Sequence, residues 1–304
     1  MAKRINSMSK RADVKIGFVC NNNCRFCVQA HKKKFGNRKA EEIKSDLEQA
    51  RKNCSAVVFT GGEPTIHPDI IELVQHAKNL GFNEIQIQTN ARRMCYLDFC
   101  RQLIDAGASE FSPALHGHVS ELHDFLTRAP GSFDQTIKAI KNLRELGQRV
   151  ITNTVIVKPN YRYAEQTARL LVSLGVDQYQ LAFVHPIGNA HKYYDSIVPC
   201  VSLAAPFIHR GLQVGIDAGL PVMAEAMPYC QMYGYERYVS ERVIPPTEIR
   251  DIDYDPDFEK TRKTQGKVKF GQCKECRYDS ICEGPWKEYP EKKGYDEFVP
   301  VRER

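Results

Sequence analysis

Three cysteines share one short stretch of the chain: Cys20, Cys24 and Cys27, with three residues in the first gap and two in the second. A tetrahedral zinc site would call for paired CxxC knuckles or a fourth Cys or His at finger distance, and His31 is the only local candidate. Thiolates are soft ligands suited to iron-sulfur clusters, and three of them on a four-iron cube leave one iron without a protein ligand. An open iron is a place for chemistry. A zinc loop or a chance grouping of thiols is the plainer reading of the same triplet.

With Phe26 ahead of the last cysteine, the CxxxCxFC arrangement resembles the signature loop of the radical S-adenosylmethionine (radical SAM) superfamily. The resemblance implies a 4Fe-4S cluster on Cys20, Cys24 and Cys27 whose open iron chelates the amine and carboxylate of S-adenosylmethionine. Gly61-Gly62-Glu63-Pro64 begins thirty-four residues after Cys27. A glycine pair after a strand lets the backbone approach a ligand closely, and the carboxylate beside it can accept hydrogen bonds from an ammonium group. The segment resembles the GGEP motif of the same superfamily, which binds the methionyl amine. Asn90, Ser112, His116 and Asn153, at expected strand ends, and Arg128 in LTRAPGSF lie where the family contacts the ribose, carboxylate or adenine. For each, a cap or a core hydrogen bond is the competing role. His185, in HPIGNA, either lines the substrate end of the fold or belongs to a plain connecting loop.

The C-terminal region holds Cys273, Cys276 and, after five residues, Cys282, with no cysteine beyond. The pattern resembles the SPASM and shorter twitch extensions that carry auxiliary 4Fe-4S clusters in a subset of the superfamily. The resemblance implies one auxiliary cluster, with Cys230 as the upstream fourth ligand, since the chain lacks the seven cysteines of a two-cluster form. Zinc on the same four thiols is the rival. Cys54, Cys95, Cys100 and Cys200 are expected to be core or surface thiols. Trp286, the single tryptophan, either packs over the auxiliary cluster or, the preferred reading, serves only as core packing.

These residues need a scaffold, and 304 residues with 42% hydrophobic and 26% charged content suffice for a large α/β domain with an appendage. Apolar strands are expected at Val14–Val19, Ala56–Thr60, Glu84–Gln88, Glu110–Leu115, Arg149–Val157 and Gln178–Val184. Helices are expected between them, as at Ala40–Arg51 and Asp69–Leu80, several closed by a glycine such as Gly81, Gly107, Gly147 or Gly175. Alternating strands and helices imply parallel pairing with right-handed crossovers, and functional residues should gather at the C-terminal strand ends. The expectation, which the resemblance shares, is a partial (β/α)6 barrel over residues 1–219. A helix over Ser202–Ala218 closes it, and residues 220–304, rich in proline and tyrosine, form a small C-terminal iron-sulfur extension.

No apolar run of eighteen residues is visible, and the basic opening MAKRINSMSKRADVK has no apolar stretch after it, so a cytoplasmic, non-membrane protein is expected. Eleven cysteines, six of them clustered, fit metal in a reducing compartment. The net charge is +6, and the densest basic run is His31–Lys39. It lacks the interleaved aromatics of a nucleic-acid surface, so a solvated loop, or one facing an anionic cofactor or substrate, is the preferred reading.

The resemblance implies reductive cleavage of S-adenosylmethionine to a 5′-deoxyadenosyl radical that takes a hydrogen from a substrate. It also implies a low-potential electron donor of the flavodoxin or ferredoxin type. Relatives with such extensions act on peptide or protein side chains or on small molecules such as nucleotides and aminosugars. The other classes weighed are a methyl-transferring use of S-adenosylmethionine and a non-catalytic module binding zinc or nucleic acid.

Overall fold

The computed structural model describes residues 10–302; the basic opening, residues 1–9, lies outside the described residues. Nine strands form one sheet: β1 (Arg11–Lys15), β2 (Ala56–Thr60), β3 (Glu84–Thr89), β4 (Glu110–Pro113), β5 (Arg149–Ile156), β6 (Gln178–Phe183), β7 (Val222–Glu225), β8 (Thr247–Arg250) and β9 (Tyr254–Asp255). Their order is β7-β6-β5-β4-β3-β2-β1-β8-β9, every pair parallel except β8 with β9. The fold is the partial barrel expected, an open curved sheet whose first six strands alternate with helices.

Helices cover the outer face. Among them, α1 (Ala40–Arg51) buries Ile43, Leu47 and Ala50, and α2 (Ile70–Asn79) buries Ile70, Leu73, Val74 and Ala77. Such i, i+3, i+4 stripes match the apolar side of each strand, which is where burial stabilises the shell. α3 (Leu97–Ala106), α4 (Ser120–Thr127), α5 (Ser132–Glu145) and α6 (Ala164–Ser173) continue the pattern. Two of the glycines expected to close helices, Gly81 and Gly147, have φ of 83° and 67°, which an L side chain resists. The stretch Tyr194–Asp217, which contains α7 (Val201–Asp217), is long and apolar enough by composition to cross a membrane, yet half of it is buried inside the protein, where α7 packs on α6.

Two expectations need correction. β1 lies at Arg11–Lys15, not Val14–Val19, because the ladder pairs Arg11 with Ala56 and Lys15 with Thr60. Ile16 to Val19 leave the strand and cross the barrel mouth, where Ile16 and Phe18 are buried as a connecting loop. The alternation of Arg11, Asp13 and Lys15 with buried Ala12 and Val14 marks the true strand. The sheet also runs on past Gly219: β7 pairs with β6 and β8 with β1, so both edges of the six-stranded core are extended by chain read as aperiodic. Four-residue strands are too short to show a period.

Candidate active site

The cysteine loop leaves β1 and is pinned on three sides. Asn23 N–H donates to the Thr127 carbonyl at 2.9 Å and Arg25 N–H to the Leu126 carbonyl at 2.9 Å, which fixes it on the end of α4. The loop after β6 grips it from across the mouth: Asn189 N–H donates to the Cys27 carbonyl at 3.0 Å, and its side-chain amide to the Cys24 carbonyl at 2.8 Å. A Cβ on Gly188 would lie 2.4 Å from the Cys27 carbonyl oxygen, so only glycine permits that approach. The HPIGNA segment is therefore part of the site. Arg92 completes the cradle, donating to the Asn21 carbonyl at 2.6 Å and to Asn22 Oδ1 at 3.2 Å. Sequence reasoning missed Arg92, Gly188 and Asn189, because only the tertiary fold brings them to the cysteines.

The three thiols are half-buried and line one pocket of about 450 Å³ in the barrel mouth, together with Gly61, Gly62, Glu63, Asn90 and Asn153. Burial pushes Cys20 up to about 11 and raises Cys24 and Cys27 as well, so binding a metal there releases protons. Cys20 Sγ accepts from the Asn22 N–H at 3.4 Å and the Asn90 side-chain amide at 3.8 Å. Phe26, 7% exposed, meets the His116 ring edge-on at 4.8 Å, which accounts for an aromatic between Cys24 and Cys27.

The glycine pair does something more specific than open space for a ligand. Ideal Cβ atoms on Gly61 and Gly62 would stand 2.2 Å from the Gly17 and 2.3 Å from the Val19 carbonyl oxygens. Gly62 N–H and Glu63 N–H donate to those same carbonyls at 2.8 and 2.9 Å. The two strand-end backbones thus lie directly on one another, and Glu63 is delivered beside the thiols.

Glu63 is 3% exposed. Burial raises its carboxyl, while hydrogen bonds from Thr65, Thr89 and Asn90 pull it back down. Oε1 accepts from Thr65 N–H (3.0 Å), Thr65 O–H (2.6 Å) and Thr89 O–H (2.5 Å); Oε2 accepts from Asn90 N–H (2.6 Å). Oε2 retains capacity for one further donor. Asn90 is a strut, since its side-chain amide also donates to Asn21 Oδ1 at 2.7 Å. Asn153 differs: its Oδ1 is buried in the pocket lining with no partner, an acceptor waiting for a ligand donor.

Three of the expected contact residues stand off the lining. Pro64 opens a buried short turn, and Ser112 is buried on β4 opposite Gln88. Arg128 is exposed, a left-handed cap on α4 with φ 55°. His116 does reach the pocket. Its Nδ1 accepts from Val155 N–H at 3.2 Å, and burial, with His123 adding to it, holds its pKa well below the ordinary value; the ring is neutral with its proton on Nε2.

On the far side of the mouth, His185 stacks on Trp286 at 3.8 Å, and its Nε2 lies 3.2 Å from Glu288. Trp286 is buried in the core, as preferred, and lines this pocket rather than the one around the C-terminal thiols, where Gly284 and Pro285 lie. Trp286 Nε1 is a buried donor with no partner.

Cys230, Cys273, Cys276 and Cys282 line a second, much smaller apolar pocket of about 20 Å³. Burial, reinforced by Cys282, Cys276 and Cys273, pushes Cys230 up to about 12, so the four thiols are electrostatic neighbours. Three of them accept backbone N–H bonds at 3.4 Å: Cys273 from Phe270, Cys282 from Gly284 and Cys276 from Val301. No three His, Cys, Asp or Glu side chains among the described residues are close enough to hold a single metal ion.

A partial βα barrel with three thiols and a buried carboxylate around one pocket is an arrangement able to hold an iron-sulfur cluster beside a ligand's ammonium group. The chain belongs to the Radical SAM superfamily, whose family model matches residues 14–171. It is 27% identical over 174 residues to the AdoMet-dependent heme synthase of Oleidesulfovibrio alaskensis, covering 56% of this chain and 44% of that one. It is 26% identical over 193 residues to a probable GTP 3',8-cyclase of Sulfurisphaera tokodaii, covering 60% of each. The chain thus spans about half of these curated relatives. Among solved structures, Streptococcus suis SuiB bound to precursor peptide SuiA superposes with TM-score 0.69 at 17% identity, over 97% of this chain and 75% of that one. Native anSMEcpe with bound AdoMet and Cp18Cys peptide gives 0.65 at 14%, over 95% and 96%. Membership of this superfamily implies a 4Fe-4S cluster and S-adenosylmethionine as cofactors.

Proposed function

We propose that this enzyme abstracts a hydrogen atom from a peptide or protein side chain, with one auxiliary 4Fe-4S cluster held by Cys230, Cys273, Cys276 and Cys282. When bound, the cluster on Cys20, Cys24 and Cys27 and S-adenosylmethionine supply a 5′-deoxyadenosyl radical as the abstracting agent. The protein's own part is placement. Glu63 Oε2 accepts from the methionyl ammonium and Asn153 Oδ1 from a ribose hydroxyl, which positions the ligand in the barrel mouth.

The observation that carries the reading is the backbone pairing of Gly62 and Glu63 with Gly17 and Val19, which locks carboxylate and thiols around one pocket. The substrate side of that pocket argues for the peptide. Among the described residues no arginine lines it, and the one lysine that does, Lys15, is already held by Asp13 at 3.1 Å and Thr60 at 3.2 Å. A nucleoside triphosphate would find no free cation among them. Glu225 and the unpartnered Trp286 N–H instead offer one acceptor and one donor, which a peptide's N–H and C=O satisfy together. Two structural neighbours, SuiB and anSMEcpe, have been solved with a peptide bound, which points the same way. A small neutral or cationic molecule such as an aminosugar is the second reading, favoured by a pocket of about 450 Å³.

For the second cluster, the support is the convergence of four thiols on one apolar pocket and three N–H bonds already aimed at sulfur, an arrangement that stabilises thiolate charge. Electron transfer is its natural use, since four protein ligands leave no iron open. All eleven cysteines are free, which suits a reducing cytoplasm. The test is anaerobic reconstitution: about eight irons per chain and 5′-deoxyadenosine on reduction are expected for two 4Fe-4S clusters. Release of S-adenosylhomocysteine instead would turn the reading toward methyl transfer, and colourless protein with zinc would end it.

A further inference from the structure

The cationic side chains around the cysteine loop do not line the pocket described above. From Val19 to Ala40 the chain carries six cations, Arg25, Lys32, Lys33, Lys34, Arg38 and Lys39, and no acidic residue. The net charge of the entire chain is +6, so this one stretch matches the surplus of the whole molecule. Folding neutralises two of the six, Lys32 by Asp251 and Arg38 by Asp46. Lys33 donates to the Asn22 carbonyl at 2.9 Å and Arg25 to the Phe125 carbonyl at 2.9 Å, contacts that hold the side chains without cancelling their charge. Lys34 and Lys39 are exposed and form no ion pair among the described residues.

Apolar side chains sit among these cations. Val19, Phe35 and Phe125 are 41%, 52% and 48% exposed. Lys34 lies 5.1 Å above the Phe35 ring and the Arg25 guanidinium 4.0 Å above Phe125. The patch lies directly on the cysteine loop. Val19 precedes Cys20, Arg25 stands between Cys24 and Cys27, and Lys33 is bonded to residues between Cys20 and Cys24.

We propose that this patch is the docking surface for a small acidic one-electron carrier of the flavodoxin kind. The proposal rests on the iron-sulfur reading of Cys20, Cys24 and Cys27. An apolar centre rimmed by uncompensated cations favours fast, short-lived association with an acidic protein, because charge steers the encounter while a small interface lets it part. The substrate reaches the thiols through the barrel mouth, and this outer face leaves a second approach for the reductant. The carrier gives up one electron, and no bond in this chain forms or breaks. A nucleic acid fits less well: the stretch presents a short turn, Ala30–Phe35, where groove reading needs an extended helix or ribbon.

The test measures binding of oxidised flavodoxin to the reconstituted enzyme by calorimetry at low and high salt. Affinity should fall as salt rises, and the double variant Lys34→Glu, Lys39→Glu should weaken it by about tenfold or more at low salt. Phe35→Ser should weaken it without changing the salt dependence. With flavodoxin as the reductant, 5′-deoxyadenosine formation should slow in step with affinity, while with dithionite the variants should match the unaltered enzyme. Unchanged affinity in both variants would overturn the proposal, as would tighter binding of a DNA duplex than of flavodoxin with the same sensitivity to charge reversal. If dithionite gives no 5′-deoxyadenosine with the unaltered enzyme, the iron-sulfur reading falls instead, and the affinities still decide the surface.

Discussion

Glu63 accepts four hydrogen bonds from three residues, so its carboxylate is fixed before any ligand arrives. Such preorganisation means that Glu63→Gln has two consequences. The amide places an N–H against Thr65, Thr89 or Asn90, where every neighbour is also a donor, and the charge that would hold an ammonium is gone. Affinity for S-adenosylmethionine should fall about ten- to a hundredfold, the worth of a charged hydrogen bond, as equilibrium dialysis would read it. Retained affinity would remove Glu63 from the ligand's amine. His123 shows a different residue-scale effect. Burial, against the opposing pull of Asp124, holds its imidazole down at about 4, where 6.5 is ordinary. The unfolded chain therefore takes up a proton near pH 6.5 that the folded one refuses until about pH 4, so stability is full above 6.5 and declines as the pH falls toward 4. His123→Gln keeps an acceptor for the His116 N–H and should lose about 2 kcal/mol less than the unaltered protein between about pH 7 and about pH 5 in urea unfolding.

At the scale of elements, the two loops that carry the chemistry are held by backbone contact rather than side-chain contact. A methyl group on Gly62 would meet the Val19 carbonyl at 2.3 Å and the Phe18 carbonyl carbon at 2.6 Å, both rigid. Gly62→Ala should therefore part the loops, costing about 1–3 kcal/mol and the iron of the first site, while the helices keep their circular dichroism. Gly271, with nothing within 4 Å of an added Cβ, is the matched control and should tolerate alanine. Full iron loading in Gly62→Ala would show that the contact can yield. The sequence disclosed β2 through β6 well, because buried parallel strands are apolar runs and glycine ends the helices before them. It disclosed β1 poorly. The apolar run Val14–Val19 is longer than the strand, and only the polar alternation from Arg11 shows where pairing stops. Cys20, Cys24 and Cys27 were legible from their spacing, Glu63 from the glycine pair beyond β2 and Asn153 from its place on β5; Arg92 and Asn189 were not, since each bonds to the cysteine loop across a long stretch of chain.

For the molecule as a whole, the question is what fastens the rest of the C-terminal segment to β7, the strand by which it joins the barrel sheet. The junction is a buried ionic group around Glu225 of β7. Arg262 and Glu283, with side chains 2% and 5% exposed, form a two-pronged pair at 2.7 and 2.8 Å. Lys267, fully enclosed, lies 3.5 Å from Glu241 and 3.8 Å above the Trp286 ring. Burial raises the Glu225 carboxyl and lowers the Lys267 ammonium, so each of these charges depends on the others for its state. None of this could be read from the sequence, where the partners lie in aperiodic chain and only the fold makes them neighbours. The junction also sets Trp286 in the barrel mouth, two residues beyond the loop that bears Cys282 and Gly284, and so ties the substrate pocket to the four-thiol pocket.

Removing one member of such a pair strands the other in a medium of low polarisability, at a cost of about 3–5 kcal/mol, whereas replacing both by apolar groups of similar volume is close to neutral. Glu283→Gln should accordingly lower the free energy of unfolding in urea by most of that amount, and Arg262→Met with Glu283→Leu should restore it. The two variants should differ in function as well as in stability. If the ionic group is only a fastener, the double variant keeps both clusters, with iron content and 5′-deoxyadenosine yield unchanged. If Glu283 also shapes the loop that holds Cys282, the double variant regains stability yet loses about half its iron, because only the C-terminal thiols depend on that loop. Iron analysis of the restabilised protein separates the two, since a merely unfolded fraction would lose iron from both thiol sets alike.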